Sequence, residues 1–201
     1  PDMKAVAVAA PGDIISLETN DCWHSQICSE RQEIESVDFT SLNPATGPVG
    51  IGGATPGDVL SVKILSISTA STGVVNIIPG AGVLGHKVKK SATKLLQIND
   101  GLVHFGALSI ESNPMIGVIG LATAEEEGLI PTGTPGRHGG NMDTKDICEG
   151  ATLYLPVSQA GAMLAIGDIH AVMGDGEVCV TGCEVAAEVK VQVDVIKGKH
   201  I

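Results

Sequence analysis

Apolar and polar residues alternate with a period of two near the end of the chain. Between 185 and 195 the odd positions hold only valine and alanine, and the even positions include Glu188, Lys190 and Asp194. Successive side chains of a β-strand point to opposite faces, so this pattern predicts a strand with one buried and one wet face. Shorter apolar runs predict further strands at 14–19, 59–67, 74–78, 94–98, 102–110, 115–120, 151–157 and 163–170.

Helical periodicity is scarce in the rest of the chain. Residues 122–128, which carry three glutamates before a glycine, predict a short acidic helix, and residues 157–162 predict one more helical turn. The segments 31–48 and 132–150 are predicted loops because polar residues, glycine and proline dominate them. We therefore expect a mainly β fold with sandwich-like or barrel-like sheets and one or two short helices.

The amino-acid composition agrees with this fold class. The 201 residues include 26 glycines and 10 prolines but only two phenylalanines, one tyrosine and one tryptophan. Turns are therefore numerous, and the core must be built from aliphatic side chains. An apolar content of 43% with 17% charged residues excludes intrinsic disorder. We expect a single mostly β unit over 1–201, with a division into 1–112 and 113–201 as the alternative.

The net charge restricts the classes of partner. A formal charge of −11 repels both a phosphate backbone and an anionic membrane surface, so we expect neither nucleic acid nor membrane as a partner. No apolar stretch approaches the roughly 18 residues that a membrane span needs, and the first residues do not resemble a signal peptide. The five cysteines contain no CxxC pair, which favours reduced thiols. The sequence predicts a cytoplasmic location.

Candidate metal ligands cluster in the second half of the chain. His138 and Asp143 lie in the glycine-rich segment 135–143, and Asp168 and His170 follow in a predicted strand. Residues i and i+2 of a strand share a face, so Asp168 and His170 can present an oxygen and a nitrogen ligand side by side. Such a mixed donor set suits zinc or a similar divalent ion, and the many carboxylates also suit calcium. Separately, each residue can equally be a turn or structural residue.

A second polar cluster follows the first long predicted strand. Asp21 in it is a candidate ligand or base, or a residue that caps a turn. Cys22 and Cys28 lie close to His24 in sequence, but such neighbours seldom form the geometry of a catalytic Cys–His pair. Cysteine catalysis is therefore disfavoured.

Several blocks of the chain resemble the acetamidase/formamidase family. They include Gly-Gly-Asn-Met-Asp at 139–143 and Gly-Asp-Ile-His-Ala at 167–171. Each block is weak alone, but together they keep the family's order almost from end to end. The other blocks lie at 11–13, 18–21, 26–27, 43–48, 56–60, 115–120, 155–157, 161–162 and 174–177.

The resemblance implies a metal-associated amidohydrolase of mostly β architecture that releases ammonia from formamide, acetamide or a related short amide. It also implies that this chain lacks the C-terminal part of the family fold and is shortened after Gln26. We expect a small-molecule amide as substrate, a divalent metal, zinc first and calcium second, as cofactor, and a homodimer as the assembly.

The residues carried over from the family have two kinds of role. Glu177 is the expected proton shuttle and Asn141 the expected donor to the developing oxyanion. The expected metal ligands are Asp21, His138, Asp143, Asp168 and His170. His24 is not carried over, because its surroundings depart from the family pattern.

Three other functions remain open at this point. A noncatalytic metal-binding or small-ligand-binding β module would use the same His and Asp cluster without Glu177 as a base. An inactive truncated amidase would have the same sequence features. Cysteine-based amide hydrolysis of the nitrilase type would instead depend on a thiol.

Overall fold

Two β-sheets account for the regular structure of residues 4–199 and 201, the part of the chain that this computed structural model describes. The strands are β1 Ala7–Ala9, β2 Ile14–Thr19, β3 Ala45–Ile51, β4 Val59–Thr69, β5 Thr72–Ile77, β6 Ala92–Asn99, β7 Leu102–Phe105, β8 Leu108–Glu111, β9 Met115–Gly120, β10 Gly139–Asn141, β11 Thr152–Pro156, β12 Leu164–His170, β13 Glu184–Val185 and β14 Ala187–Ile196. Helical structure in this part consists of four 3₁₀ turns at Ile34–Ser36, Phe39–Ser41, Gly85–Lys87 and Glu125–Glu127. None of these described turns has the length or the apolar surface to cross a bilayer. The mainly β prediction is confirmed.

The smaller sheet is antiparallel and has the strand order β11-β4-β14-β2. Strand β14 pairs with β4 along its whole length, with one bulge between Lys190 and Val191. Its valines Val189, Val191 and Val193 are fully buried, whereas Lys190 is exposed. The predicted alternation is therefore confirmed, because one face of this strand packs on the core and the other meets water.

The larger sheet has ten strands, and most residues of its strands β9 and β12 are buried. Its main path runs β1-β3-β12-β13-β5-β6-β7-β8, and β9 pairs with the other edge of β12 and with β10. Residues 115–119 of β9 are all buried, which explains their continuous apolar run. Strands from distant parts of the chain thus meet at β12.

One hydrophobic core joins the two sheets. Leu60, Val62 and Ile64 of β4 belong to the same buried cluster as Ile166 and Ile169 of β12. A smaller separate cluster forms under the segment between β2 and β3, around Trp23, Ile27, Ile34 and Val37.

The structure differs from the sequence predictions in five segments. The predicted loops 31–48 and 132–150 contain the start of β3 and the strand β10, because these residues pair with β12 and β9 from other parts of the chain. The other three segments have less regular structure than predicted. Residues 102–110 form the hairpin β7–β8 instead of one strand, since the chain reverses at Gly106, whose φ is 60°. Residues 122–128 contain only the 3₁₀ turn, which ends at Gly128 with a φ of 66°. Residues 157–162 form turns and no helix. These last three segments are short or rich in glycine, so turns are more stable there than an α-helix or a long strand.

Candidate active site

The face that β12 presents changes within the strand. Ile166 and Ile169 both point into the core, although strict alternation would place them on opposite faces. The change occurs at Asp168, which has a left-handed backbone with a φ of 54°. Asp168 and His170 consequently share the face that points away from the core.

A glycine on the neighbouring strand allows two carboxylates to lie over the sheet. A Cβ atom on Gly117 of β9 would come within 2.6 Å of Asp143 Oδ1 and 2.7 Å of Asp168 Oδ2. These distances are too short for any side chain. Asp143 is held there by Asn141, whose Nδ2 donates to Asp143 Oδ2 at 2.7 Å. The segment 139–143 therefore serves the site by bringing Asp143 over Gly117.

His170 lies at the centre of the acidic cluster and is 1% exposed. Its Nε2 lies 3.3 Å from Asp168 Oδ1 and 3.1 Å from Glu184 Oε2. Its Nδ1 lies 3.7 Å from Glu177 Oε1. A Cβ atom on Gly182 would be 2.5 Å from Nδ1, so the ring packs directly on that glycine. The imidazole is thus fixed on both sides.

Three carboxylate residues of this cluster have backbones in the left-handed region. The φ values are 41° for Asp143, 54° for Asp168 and 40° for Glu177. Residues other than glycine rarely adopt this conformation, and each instance costs of order 1 kcal/mol or more, so the surrounding structure must enforce it. Such strain concentrates at functional sites.

Asp143, His170 and Glu177 form a set that could hold a cation. One ligand atom of each lies within 4.8 Å of the others. Two buried atoms of this set, Asp143 Oδ1 and His170 Nδ1, have no hydrogen-bond partner among the described residues. Buried polar atoms are normally paired, so these two atoms fit the ligands of a metal ion.

A second set of close ligand atoms comprises Cys22, Asp168 and Glu184. Glu184 is 3% exposed and accepts hydrogen bonds from Thr181 Oγ1 and the Gly182 N–H through Oε1. Its Oε2 has no aligned hydrogen-bond partner within the described part of the chain. This second set borders the first through Asp168 and Glu184, which both approach the ring of His170.

Two of the sequence-predicted ligands lie outside both sets. Asp21 accepts a hydrogen bond from the Ser25 N–H at 2.8 Å, as a residue that caps a turn does. His138 is 9% exposed and lines a separate apolar cavity. Their roles as metal ligands stay predictions.

Burial and mutual repulsion raise the pKa values of the clustered carboxyl groups. Burial, together with the charge of Glu184, raises the pKa of Asp168 to about 6. Burial and the charge of Asp143 raise the pKa of Glu177 to about 7. Burial also raises the pKa of Asp143, with Asp168 as the second cause. Without a cation, these groups respond to crowding by retaining protons.

His170 and Glu184 behave as a buried ion pair. Burial disfavours the protonated imidazole, but the charges and hydrogen bonds of Glu184 and Asp168 together outweigh it and raise the pKa of His170 well above its usual value. Burial likewise disfavours ionised Glu184, yet the charge of His170, together with hydrogen bonds from His170, Asp168 and Cys22, keeps the pKa of Glu184 below its usual value. The cluster contains four carboxylates, those of Asp143, Asp168, Glu177 and Glu184. No Lys or Arg of the described residues forms an ion pair with any of them. One imidazolium cannot neutralise four carboxylates, so the site attracts cations.

Three residues of the site, Glu184, Asn43 and Gly117, were not predicted from the sequence. Glu184 is at an even position before the alternating strand, where the pattern predicts exposure. With its side-chain amide oriented to donate, Asn43 places Nδ2 3.3 Å from both carboxylate oxygens of Asp168. Asn43 belongs to a block that resembles the family, and that was its only signal. Gly117 looked like an ordinary strand glycine.

Known proteins with similar sequences and structures are amidases. The model of the Acetamidase/Formamidase family matches residues 1–130 and 124–201. The formamidase of Methylophilus methylotrophus is 25% identical over 258 aligned residues, which cover 98% of this chain and 63% of that protein. This chain thus spans less than two thirds of the length of that relative.

Two solved structures share the fold closely. The acetamidase of Bacillus halodurans is 45% identical with a TM-score of 0.95, and the match covers 98% of this chain and 67% of that one. An acetamidase/formamidase of Thermoanaerobacter tengcongensis is 48% identical with a TM-score of 0.96, and the match covers 100% of this chain and 66% of that one. The chain therefore belongs to the acetamidase/formamidase family.

Proposed function

We propose that this chain holds a divalent metal and hydrolyses a short-chain linear amide to a carboxylate and ammonia. The observation that carries the proposal is the convergence of Asp143, His170 and Glu177, with two buried ligand atoms that lack a partner among the described residues. The amide substrate is supported by the family membership and by the names of the relatives, formamidase and acetamidase.

Asp143 and His170 would hold the ion, with Asp168 and the proton-shuttling Glu177 beside them. One nitrogen and several carboxylate oxygens suit zinc, and calcium is the alternative because oxygen donors are in excess. When bound, such an ion would supply a water of lowered pKa and a positive charge to polarise the amide carbonyl. The predicted ligands Asp21 and His138 would have to approach from outside this set.

Asp168 and Glu184 orient the imidazole of His170. Both approach Nε2, and ionised carboxylates only accept hydrogen bonds, so Nε2 carries the proton. The free electron pair is then on Nδ1, the atom without a partner within the described residues. Carboxylates behind a ligating histidine fix its tautomer in this way.

Glu177 and Asn141 are the groups available to the substrate. The Glu177 side chain is 17% exposed, against 1% for His170, so a water molecule can reach it. Its carboxylate takes a proton from the attacking water and delivers it to the leaving nitrogen. Asn141 has two N–H bonds and donates one to Asp143, which leaves the other for the developing oxyanion.

The test is ammonia release from formamide, acetamide and propionamide, with metal content measured on the same preparation. We expect a bound divalent metal, loss of turnover on chelation, and its return on adding the metal back. Glu177→Gln should keep the metal and lose turnover by at least about 100-fold. Glu126→Gln, an exposed position in the 3₁₀ turn, is the matched control and should change neither.

Two outcomes would contradict the proposal. Stoichiometric metal without turnover would identify a noncatalytic metal-binding module or an inactive truncated amidase. Inactivation by thiol alkylation with no effect of chelation would identify cysteine chemistry. Burial and the nearby charge of Glu184 raise the pKa of the Cys22 thiol, which disfavours its nucleophilic form. The cytoplasmic location and the homodimer stay predictions.

A further inference from the structure

An apolar cavity of about 250 Å³ lies beside the acidic cluster. Ala45 of β3, Val118 of β9, Gly140 of β10 and Ala165 of β12 line it, and Leu129 is at its edge. No Asp, Glu, Lys or Arg is among its lining residues in the described part of the chain. Such a lining accepts an uncharged, apolar group.

Neighbouring residues of the same three chain segments line the cavity and the candidate active site. Val118 directly follows Gly117, over which the two aspartates lie, and Gly140 directly precedes Asn141. Ala45 lies two residues after Asn43, which contacts Asp168. This proximity is what would let the substituent of an amide held at the acidic cluster enter the cavity.

The size of the cavity exceeds the need of the smallest amides. A dry protein cavity of roughly 150 Å³ is sufficient to bind benzene. The hydrogen of formamide or the methyl group of acetamide would leave most of 250 Å³ unfilled. Unfilled apolar space forfeits contacts that a longer chain would make.

We propose that this cavity binds the acyl chain of the substrate and selects aliphatic amides of about four to six carbons over formamide and acetamide. The inference rests on the proposed function and narrows its substrate class. The space is available because small residues form the floor of the cavity, above all Ala165 and Ala45.

His138 provides a reporter for occupancy of the cavity. Three glycines surround the ring of His138. A Cβ atom added to Gly136 would lie 2.9 Å from the ring Nδ1, one added to Gly140 would lie 2.8 Å from Nε2, and one added to Gly120 would lie 3.3 Å from Cδ2. The ring therefore occupies a slot that three glycines leave open. Its Nδ1 has no hydrogen-bond partner among residues 4–199. The NMR signals of this ring should shift when a ligand enters the cavity.

The first experiment compares linear amides from formamide to hexanamide with the metal-loaded protein. Each buried methylene is expected to raise kcat/KM by about fourfold, so the three additional methylenes of pentanamide make it roughly 60-fold better than acetamide. Binding of acetamide and pentanamide is followed in parallel by calorimetry and by the His138 ring signals.

The second experiment fills the cavity. Ala165→Leu should abolish the advantage of pentanamide over acetamide, because the added side chain takes the place of the acyl chain. Ala107→Leu, at an exposed position in the β7–β8 turn, is the matched control and should alter neither substrate. Leu129→Ser trims the wall at a residue that is 73% exposed, and tests the inference if Ala165→Leu does not fold. It should reduce the pentanamide advantage several-fold.

The outcomes separate this inference from the proposed function. Equal kcat/KM and equal binding for acetamide and pentanamide would overturn the acyl-chain site while leaving amide hydrolysis intact. So would an equal loss for both substrates in Ala165→Leu and Leu129→Ser. If no amide releases ammonia, but pentanamide still binds, shifts the His138 signals and loses affinity in the cavity variants, the cavity assignment stands and the proposed hydrolysis fails. If no amide binds, the assignment of the cavity as an acyl-chain site is overturned.

Discussion

The region around β14 and the outer face of β12 follow opposite rules. In β14, valines alternate with polar residues, the core face is fully apolar, and each side chain lies where local periodicity predicts. On the outer face of β12, the alternation breaks at Asp168, and the buried side chains are charged. Burial of charge without full pairing is costly. The comparison indicates that the first region stabilises the fold and that the second uses part of that stability to hold a site.

The largest effect is expected when the buried, positively charged imidazole of His170 is removed. His170→Phe leaves Asp168 and Glu184 buried with no positive partner, so it should lower the free energy of unfolding by about 3–5 kcal/mol. Urea unfolding of the two proteins measures the difference. Replacing Glu184 by Gln in the same variant should recover part of the loss, since the uncompensated charge is removed. Wild-type stability in His170→Phe would show that the cluster is not strained by charge.

A smaller change tests the geometry of the site. Gly117→Ala would press a methyl group on Asp143 and Asp168, so metal affinity and turnover should fall by about 10-fold to 100-fold. Calorimetric metal titration and the ammonia assay provide the readouts. Gly52→Ala meets only ordinary contact at 3.5 Å from the Ala9 carbonyl oxygen and is the matched control. An unchanged metal affinity in Gly117→Ala would mean that the two aspartates do not act together.

In the apolar core around β4 and β14, the stability of the fold should depend on packing and not on charge. Ile64→Val in β4 removes one buried methylene from the core and should cost about 1 kcal/mol of unfolding free energy, with metal affinity unchanged. Urea unfolding and metal titration together check both statements. A loss of metal binding here would contradict the separation of the two regions.

The smallest effect concerns a more ordinary ion pair next to β14. Lys197 Nζ lies 2.8 Å from Asp58 Oδ2, and this contact, with the Thr55 N–H, holds the pKa of Asp58 well below its usual value of 3.8. A carboxylate with a lowered folded pKa stabilises the protein above the unfolded pKa, and that contribution is lost as the pH falls through the folded value.

The matched variant for this pair is Asp58→Asn. It should be less stable than the wild type at pH 7, and the difference in unfolding free energy should shrink as the pH falls below about 4. Urea unfolding at several pH values measures it. A difference that is constant with pH would assign the effect to the Thr55 hydrogen bonds alone.

Local patterns predicted more of the fold than of the site. The strands β2, β4, β9, β12 and β14 all lie on runs that the apolar pattern marks, because strand periodicity is a local property. The i, i+2 spacing of Asp168 and His170 also predicted that they share a face. The hairpin at Gly106 was missed because one glycine inside an apolar run leaves both a strand and a turn open.

Three features of the site could not be obtained from local patterns. The burial of Glu184 depends on β13, which pairs with β5 and β12 from other parts of the chain. The contact of Asn43 with Asp168 joins residues that are far apart in sequence. The isolation of His138 from the acidic cluster depends on three glycines that leave a slot for its ring.

Residue type and spacing, which are local information, identified a β-rich member of the family with histidines and carboxylates in β12 and on either side of β10. Only the tertiary structure decided which of these groups meet, because the left-handed turn at Asp168 and the pairing of β9, β12 and β13 bring distant residues together. It also decided that an apolar cavity adjoins them, since the space between strands depends on packing that no single segment encodes.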